Sequence, residues 1–563
     1  NEVSSNENWD RFQIGLWVGM SGSPNFVESS REENNEKAAV LAECPACAEN
    51  LDWDPAWSSV EPRPPPDADY PWFVKCSNDH CPHTGDTLPI HVIDETLYAA
   101  VPDIVIGTID KFAQITRKAD TNPIVTGLEL IIQDELHLVS GPLGSIDGIY
   151  EAGLDIISSS GGRRPKVIGS TATIRQAGDQ VMGLYDRPLS LFPPQVRDWD
   201  DSCFARIDEN IPGRLYVGLT SCGKSPKFTQ QALYASLIQG KEDLMQTGQF
   251  SSKELDPFHT ILAYFNSRRE VGGALTLVQD DTIRSIYQIS EKRGTVPRGE
   301  IETEEITARL SSDEIPEKIS RLNRGSDSGD AVDIALSTNM ISVGGDIPRL
   351  GLMVVNGQPK SMSEYIQATS RVGRNDVPGL VFTLYNDGKP RDRAHFESHL
   401  SWLLAPYREV EANSVTPWSS RSRDKALRAV IVAIGRHRVS GMIQRPALGP
   451  DQQTSLEELS VELLNRVRRI DPDESRSTAR EIQDFIEMWS ARWVSTAGRL
   501  QYWNEYNLAT SLLMSWETKV TNDAIGGAQL PPEPAPNSMR SVEPEVRFTA
   551  IPALRTIVGG NDD

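Results

Sequence analysis

The sequence predicts an α/β protein of two parallel-sheet lobes, with a cysteine-bearing insertion near its start and a mostly helical C-terminal region. Three observations carry that expectation. Short apolar runs end abruptly in acidic or hydroxyl residues, as buried parallel strands do at their ligand-facing ends. The rhythm of strand, polar turn and helix start repeats from about residue 100 to about residue 400. Four of the six cysteines fall in two close pairs between Cys44 and Cys81.

At 563 residues the chain has room for about three or four domains. Charged residues make up 24% and hydrophobic ones 38%, which suits a folded, soluble protein. No apolar stretch approaches the roughly 20 residues needed to span a membrane, and no signal peptide opens the chain. A membrane partner is therefore not expected, and paired thiols without a disulfide framework fit a reducing cytoplasm. The net charge of −23 argues against indiscriminate adhesion to nucleic acid. It leaves room for a local basic channel, because phosphate contacts depend on where Lys and Arg cluster. The chain opens at Asn1 without an initiator Met, so it reads as a fragment or as numbering that starts inside a larger protein.

Residues 1–40 hold one strand-like run, Phe12 to Gly19, and start the first lobe without a phosphate loop. Residues 41–92 form the insertion. Cys44-Pro-Ala-Cys47 is a knuckle that supplies two zinc ligands from one turn, and Cys76 and Cys81 supply two more. Four residues separate the second pair, so His80 and His83 are alternatives to Cys81. A structural zinc ribbon would hold a Pro-rich segment that has little core.

Residues 93–204 complete the first lobe. The strand at Pro102 to Gly107 runs into Thr108 and a helix start at Lys111. A second strand, Leu128 to Ile132, ends in Asp134, Glu135, Leu136 and His137. Asp134 is suited to hold Mg²⁺, and Glu135 to orient or deprotonate a water attacking a phosphate. A third strand ends in Ser170-Thr171-Ala172-Thr173, hydroxyls able to link an acidic site to a neighbouring domain.

Residues 205–400 form the second lobe. One strand ends at Ser267, followed by Arg268 and Arg269; another runs through Ser337, Thr338 and Asn339 to Gly344 and Asp346. On a helix, Gln367, Arg371 and Arg374 share one face, suited to a γ-phosphate, with a solvated basic helix as the alternative. Residues 401–563 read as helical, with a possible phosphate-and-stacking patch at Trp418 to Lys425. A solvated loop is the alternative there. Phe485, Trp489 and Trp493 recur at core spacing, and a Pro-rich linker spans Gly526 to Asn537 before a strand-like tail.

In this order, Gly107-Thr108, Asp134 to His137, Ser170 to Thr173, Phe265 onward, Ser337 to Asp346 and Gln367 to Arg374 resemble the motifs of superfamily 2 helicases. The resemblance covers roughly residues 100–400 and implies two RecA-like lobes with ATP between them and a nucleic-acid strand across both. It implies that Asp134, Glu135, His137, Gly344, Asp346, Arg371 and Arg374 bind Mg²⁺-ATP, with Gln367 assisting catalysis. Thr108, Lys111, Ser267, Arg268, Thr338 and Asn339 would contact the strand, and Ser170, Thr171 and Thr173 would couple the lobes. The runs Leu88 to Glu95, Ile106 to Ala113, Asp134 to Gly144, Gly169 to Ile174 and Val410 to Pro417 also resemble the helicase subunit of the bacterial DISARM phage-defence systems. That likeness implies a cytoplasmic DNA translocase working with a second subunit, DrmB.

One departure stands out. The family needs a Gly-Lys-Ser/Thr phosphate loop ahead of Asp134, and none lies between Asn1 and Asp134. Gly218 to Ser225 matches that pattern, but it follows the Ser170–Thr173 stretch, and Pro226 removes an N–H from the first helical turn. The expectation is a loop upstream of Asn1. Two further classes stay open: a scaffold that binds nucleic acid without hydrolysis, and a phosphate-loop kinase or transferase built on Lys224.

Overall fold

The computed structural model describes residues 12–19, 43–49, 51–53, 74–76, 78–82, 88–159, 162–171, 177–194, 204, 206–221, 223–310, 314–339, 347–516, 518 and 531–540. In chain order the strands begin with β1 (Ile14–Trp17), β2 (Leu51–Trp53), β3 (Val74–Cys76), β4 (Ile90–His91), β5 (Ile104–Gly107), β6 (Leu130–Gln133) and β7 (Lys166–Gly169). Then come β8 (Arg214–Thr220), β9 (Ile261–Phe265), β10 (Thr303–Ile306), β11 (Ile334–Ser337), β12 (Leu352–Asn356) and β13 (Gly379–Tyr385). The last three are β14 (Gln501–Trp503), β15 (Ser511–Ser515) and β16 (Glu533–Ala535). Among the helices are α1 (Asp94–Ala100), α2 (Gly141–Ser158), α3 (Ala177–Tyr185), α4 (Pro226–Thr247), α5 (Arg268–Leu277) and α6 (Met362–Thr369). Three long ones follow: α7 (Ser420–Arg438), α8 (Pro450–Ile470) and α9 (Ser475–Ser495).

The chain folds as two compact units. One joins Asn1–Gly169, Gly178–Pro188 and Ser414–Asp563; the other joins Ser170–Ala177 and Leu189–Asn413. The structure differs here from a linear reading in which residues 401–563 stand as a region of their own. The cause lies in α2. Its buried residues include Ile146, Ile149, Leu154 and Ile157, and they share one core with Val430, Ile431, Ala433 and Ile434 of α7. A Cβ on Gly153 would come within 2.6 Å of Val430, so the two helices meet where α2 has no side chain. Arg438, at the end of α7, donates to the backbone carbonyls of Ile156, Ile157 and Ser159, the orphan acceptors at the end of α2.

The first unit carries parallel pairs in two groups, β4-β1-β5 and β6-β7. Trp17 of β1 is buried, with its indole N–H donating to the Tyr98 hydroxyl at 2.8 Å and its ring edge-on to Phe112. Several apolar side chains of these strands are exposed. Ile104 and Ile106 on β5, Leu130 and Ile132 on β6, and Ile168 on β7 are all exposed, Ile132 to 66%.

The second unit is built on a six-stranded sheet of order β10-β11-β9-β12-β13-β8, parallel throughout. All five residues of β9 and all four of β11 are buried, the pattern of central strands packed on both faces. In the C-terminal third, Trp489 is fully buried with Phe485 and Leu456, as the helical spacing predicts. The Trp418–Lys425 stretch is no surface patch. Trp418 is buried, and Arg423 is buried against the carboxylates of Glu474 and Glu481. The expected Pro-rich linker contains β16, which adds to β15 in parallel.

A chain ending at Asn413 would bare the α7-facing side of α2. Calorimetry of that shortened protein is expected to show one cooperative transition, from residues 189–413, with the first unit's transition lost. Two transitions as in the parent would overturn this account of the core.

Candidate functional site

The acidic end of β6 is shaped by its own backbone. The Asp134 carboxylate accepts the Glu135 N–H at 2.9 Å, and Glu135 then turns into the left-handed region at φ 50°. A residue with a Cβ seldom takes that conformation, and where it does the neighbours hold it there. The turn starts a short 3-10 helix, Leu136–Leu138, and brings the His137 ring back over Glu135, with Nδ1 3.3 Å from the carboxylate oxygen Oε2. His137 is buried and Asp134 exposed. The result is an exposed carboxylate beside one oriented by an imidazole. Such a pair can hold a divalent cation and steer a water.

Gln180, which the sequence does not single out, and Gly169 support this turn. The Gln180 side-chain amide, buried on α3, donates to the carbonyls of Leu136 at 3.0 Å and Val139 at 2.8 Å. Gly169, at the end of β7, leaves the space for Leu136, whose Cδ2 would lie 2.9 Å from any Cβ there. A buried amide with two carbonyl partners has no periodic signature, so only the tertiary contact reveals it.

The Gly107-Thr108 segment ends β5 and starts a 3-10 helix, Ile109–Thr116. Thr108 is half-buried and its N–H donates to the Trp17 carbonyl at 3.1 Å. Lys111, expected to contact a nucleic acid, is instead internal: it is 4% exposed and its ammonium is 2.7 Å from the buried Asp94 carboxylate. A buried ammonium needs such a partner, and the tight turn after Thr108 aims Lys111 inward. Ser170 and Thr171 directly follow β7; Thr173 lies outside the described residues.

In the second unit the ends of adjacent strands collect the polar residues. Ser337 of β11 pairs with Tyr264 of β9, so by the same register Thr338 and Asn339 follow level with Phe265 and Asn266, just before Ser267. Ser267 caps α5 by accepting the Glu270 N–H, which leaves Arg268 exposed on the first turn. Thr338 is buried and Asn339 exposed; Gly344 and Asp346 lie outside the described residues.

Gln367 sits on α6, whose N-terminus is held by the Ser361 hydroxyl and by the Glu411 carboxylate accepting the Met362 N–H. The helix ends at Thr369, so Arg371 and Arg374 do not continue its face as the spacing suggests. They stand on a turn in which Gly373 is left-handed at φ 67° and donates its N–H to the Leu350 carbonyl. A Cβ there would lie 2.7 Å from Gly379, so close backbone packing ends the helix. Arg214 donates to the Val372 carbonyl and Arg374 to the Ser370 carbonyl, which pins the turn to the sheet.

The Gly218–Ser225 stretch does not form a phosphate cradle. Gly218 lies inside β8 and pairs with Thr383, while His399 occupies the space its Cβ would need. Ser225 caps α4, and the Lys224 ammonium sits 5.7 Å from the Phe228 ring.

Around the β2–β3 hairpin the sulfurs of Cys44, Cys47, Cys76 and Cys81 lie within 4.8 Å of one another. Cys44 and Cys81 are 3.9 Å apart and Cys47 and Cys76 3.5 Å. Sulfurs at roughly 2.3 Å from a tetrahedral zinc would be about 3.8 Å apart, so the donor set fits that ion. The Ala46 N–H draws the Cys44 thiol down to about 7, whereas burial and the neighbouring thiols push Cys76 up to about 12. His80 is exposed, so Cys81 completes the set. His83 lies outside the described residues.

Gln180→Ala would take the side-chain donor from the Val139 carbonyl and leave the Leu136 carbonyl only the Val139 N–H, a loss of about 1–3 kcal/mol. The expected result is a lower denaturation midpoint for the first unit. An unchanged midpoint would remove Gln180 from this role.

Residues 256–376 match the family described as the helicase conserved C-terminal domain. Over 553 residues the chain is 33% identical to DISARM protein DrmA of Bacillus paralicheniformis, covering 88% of this chain and 48% of that protein. It is also 34% identical over 118 residues to the RQC trigger complex helicase SLH1 of Saccharomyces cerevisiae, covering 20% of this chain and 6% of that one. The chain thus spans less than half the length of either relative. Among solved structures, the DUF1998 helicase MrfA bound to DNA aligns with 81% of this chain and 50% of its own, at 17% identity and a TM-score of 0.46. With the match to the helicase C-terminal family, the extended identity to DrmA and an all-parallel second lobe, the chain belongs to the superfamily 2 helicases and is similar to DISARM DrmA.

Proposed function

We propose that this chain is the motor portion of an ATP-dependent DNA translocase or helicase that serves a bacterial anti-phage system of the DISARM type. The observation that carries the reading is the turn after β6, where Glu135 is held left-handed between Asp134 and His137. Mg²⁺-ATP, when bound, supplies the phosphoanhydride and the charge that Asp134 would hold. Glu135 would orient the attacking water and keep its proton bookkeeping local, with His137 fixing the carboxylate's direction. Gln367, Arg371 and Arg374 are assigned to the phosphate end of the nucleotide, with Gly344 and Asp346 nearby in sequence order. Thr108, Ser267, Arg268, Thr338 and Asn339 are assigned to the DNA strand, and Ser170, Thr171 and Thr173 to coupling; Lys111 is withdrawn.

The phosphate loop belongs, in this reading, to a part of the protein outside these 563 residues. The exposed apolar side chains on β5, β6 and β7 support it, since parallel strands are ordinarily covered. Zn²⁺ at Cys44, Cys47, Cys76 and Cys81 is assigned a structural role, and a second DISARM subunit, DrmB, is the expected partner. Among the described residues no helix is long and apolar enough to cross a membrane.

The test is ATP hydrolysis with and without single-stranded DNA, by a protein extended to include a phosphate loop. Hydrolysis should rise with DNA, and Glu135→Gln should lower kcat roughly 100-fold or more while nucleotide binding persists. Hydrolysis that survives the substitution would reject the role of Glu135. For the cysteine cluster, metal analysis should find one zinc per chain, lost in a Cys44→Ser, Cys76→Ser variant that also unfolds at lower temperature. A metal-free parent protein would reject the site.

A further inference from the structure

The 3-10 helix that follows Thr108 is held at both ends by one short stretch near the C-terminus. At its far end, Arg117 donates to the Pro536 carbonyl at 2.8 Å and to the Asn537 side chain, and its guanidinium stacks 3.8 Å from the Trp503 ring. At its near end, the Asp110 carboxylate accepts the Ser538 hydroxyl at 2.5 Å and the Arg540 N–H at 3.3 Å. The Arg540 side chain joins it, with Nε 3.0 Å from the other Asp110 oxygen. Met539, between these two residues, is fully buried in the core, so Ser538 and Arg540 are anchored from within. Upstream, β16 is tied into the sheet through β15 and through Glu533, which pairs with Arg428 at 2.8 Å. Residues 536–540 are a strap along the helix that Thr108 caps.

We propose that this strap adds a nucleic-acid contact of its own: Arg540, oriented by Asp110, binds a backbone phosphate of the strand that passes the Gly107-Thr108 turn. The proposal rests on the reading above that this turn meets DNA. Three observations carry it. The Arg540 side chain is 69% exposed although its Nε edge is fixed. Among the described residues its two terminal nitrogens have no partner, and they form the fork that matches a phosphate. Asp110 lies two residues past Thr108, and a bare carboxylate there would repel a phosphate in a chain that already carries −23. Pairing with Arg540 neutralises that carboxylate and turns an unfavourable position into a directed guanidinium. Non-contiguity hides the arrangement from the sequence, since the two residues are separated by most of the chain.

The test is binding of a fluorescent oligothymidylate by the full chain over a range of salt, for the parent, Arg540→Ala, Asp110→Asn and the double variant. Arg540→Ala is expected to weaken binding roughly 3- to 10-fold and to lower the slope of log K against log salt by about 0.7, the share of one phosphate on a single strand. The double variant should stay as weak, because removing the acid does not replace the contact. Recovery of parental affinity and slope in the double variant would reduce Arg540 to a neutraliser of Asp110 and overturn the contact. A parent that binds, with Arg540→Ala indistinguishable from it, overturns the contact alone. A parent that fails to bind overturns both the contact and the reading beneath it.

Discussion

The packing of α7 across α2 is the constraint on which the first unit depends. Gly153 lets the Val430 side chain sit against the backbone of α2, and Arg438 fills the hydrogen-bonding positions that the end of α2 leaves open. His437, also on α7, reaches the Ile115 carbonyl, and Arg436 reaches the Thr116 carbonyl. The same helix therefore braces α2 and the segment that follows Thr108. The last third of the chain is thus part of the scaffold of the first lobe, although most of the second lobe lies between them in sequence.

That scaffold explains how a strained turn persists at the end of β6. A left-handed Glu135 costs free energy of order 1–3 kcal/mol and survives only where its surroundings over-determine it. Here the determinants converge from several elements. Asp134 holds the turn from within, Gln180 ties its two carbonyls from α3, and Gly169 gives Leu136 its room. The turn leaves Asp134 exposed and keeps the His137 ring buried behind Glu135. Rigidity behind an open carboxylate is what a metal-nucleotide site needs.

In the second unit, pleating and register do comparable work. Parallel strands in exact neighbouring register deliver Ser267, Thr338 and the Asn356 amide to one end of the sheet, where Asn356 bonds the Tyr264 carbonyl and the Tyr234 hydroxyl. The arginine turn is set by a different force, close contact of Gly373 with Gly379 and capture of its carbonyls by Arg214. Helical spacing of Gln367, Arg371 and Arg374 was thus a correct sign of a shared segment and an incorrect sign of a shared helix face. Close backbone approach overrode periodicity.

The sequence by itself determined what depends on neighbours along the chain. Apolar runs ending in Asp134-Glu135 or Ser337-Thr338 marked strands and their polar ends, and paired cysteines marked a four-sulfur cluster, because both signals live within a few residues; of the two strands only β11 is buried, and β6 is largely exposed. Phe485 and Trp489 were legible as core for the same reason. What only the tertiary structure decided involves partners far apart in the chain. Lys111 reads as an exposed cation until Asp94 is seen beneath it, and Arg423 reads as part of a basic patch until Glu474 and Glu481 appear. Gln180 and the Arg540–Asp110 pair carry no local pattern at all. Charges and amides take their meaning from what they meet across the fold, and a sequence lists them without saying what that will be.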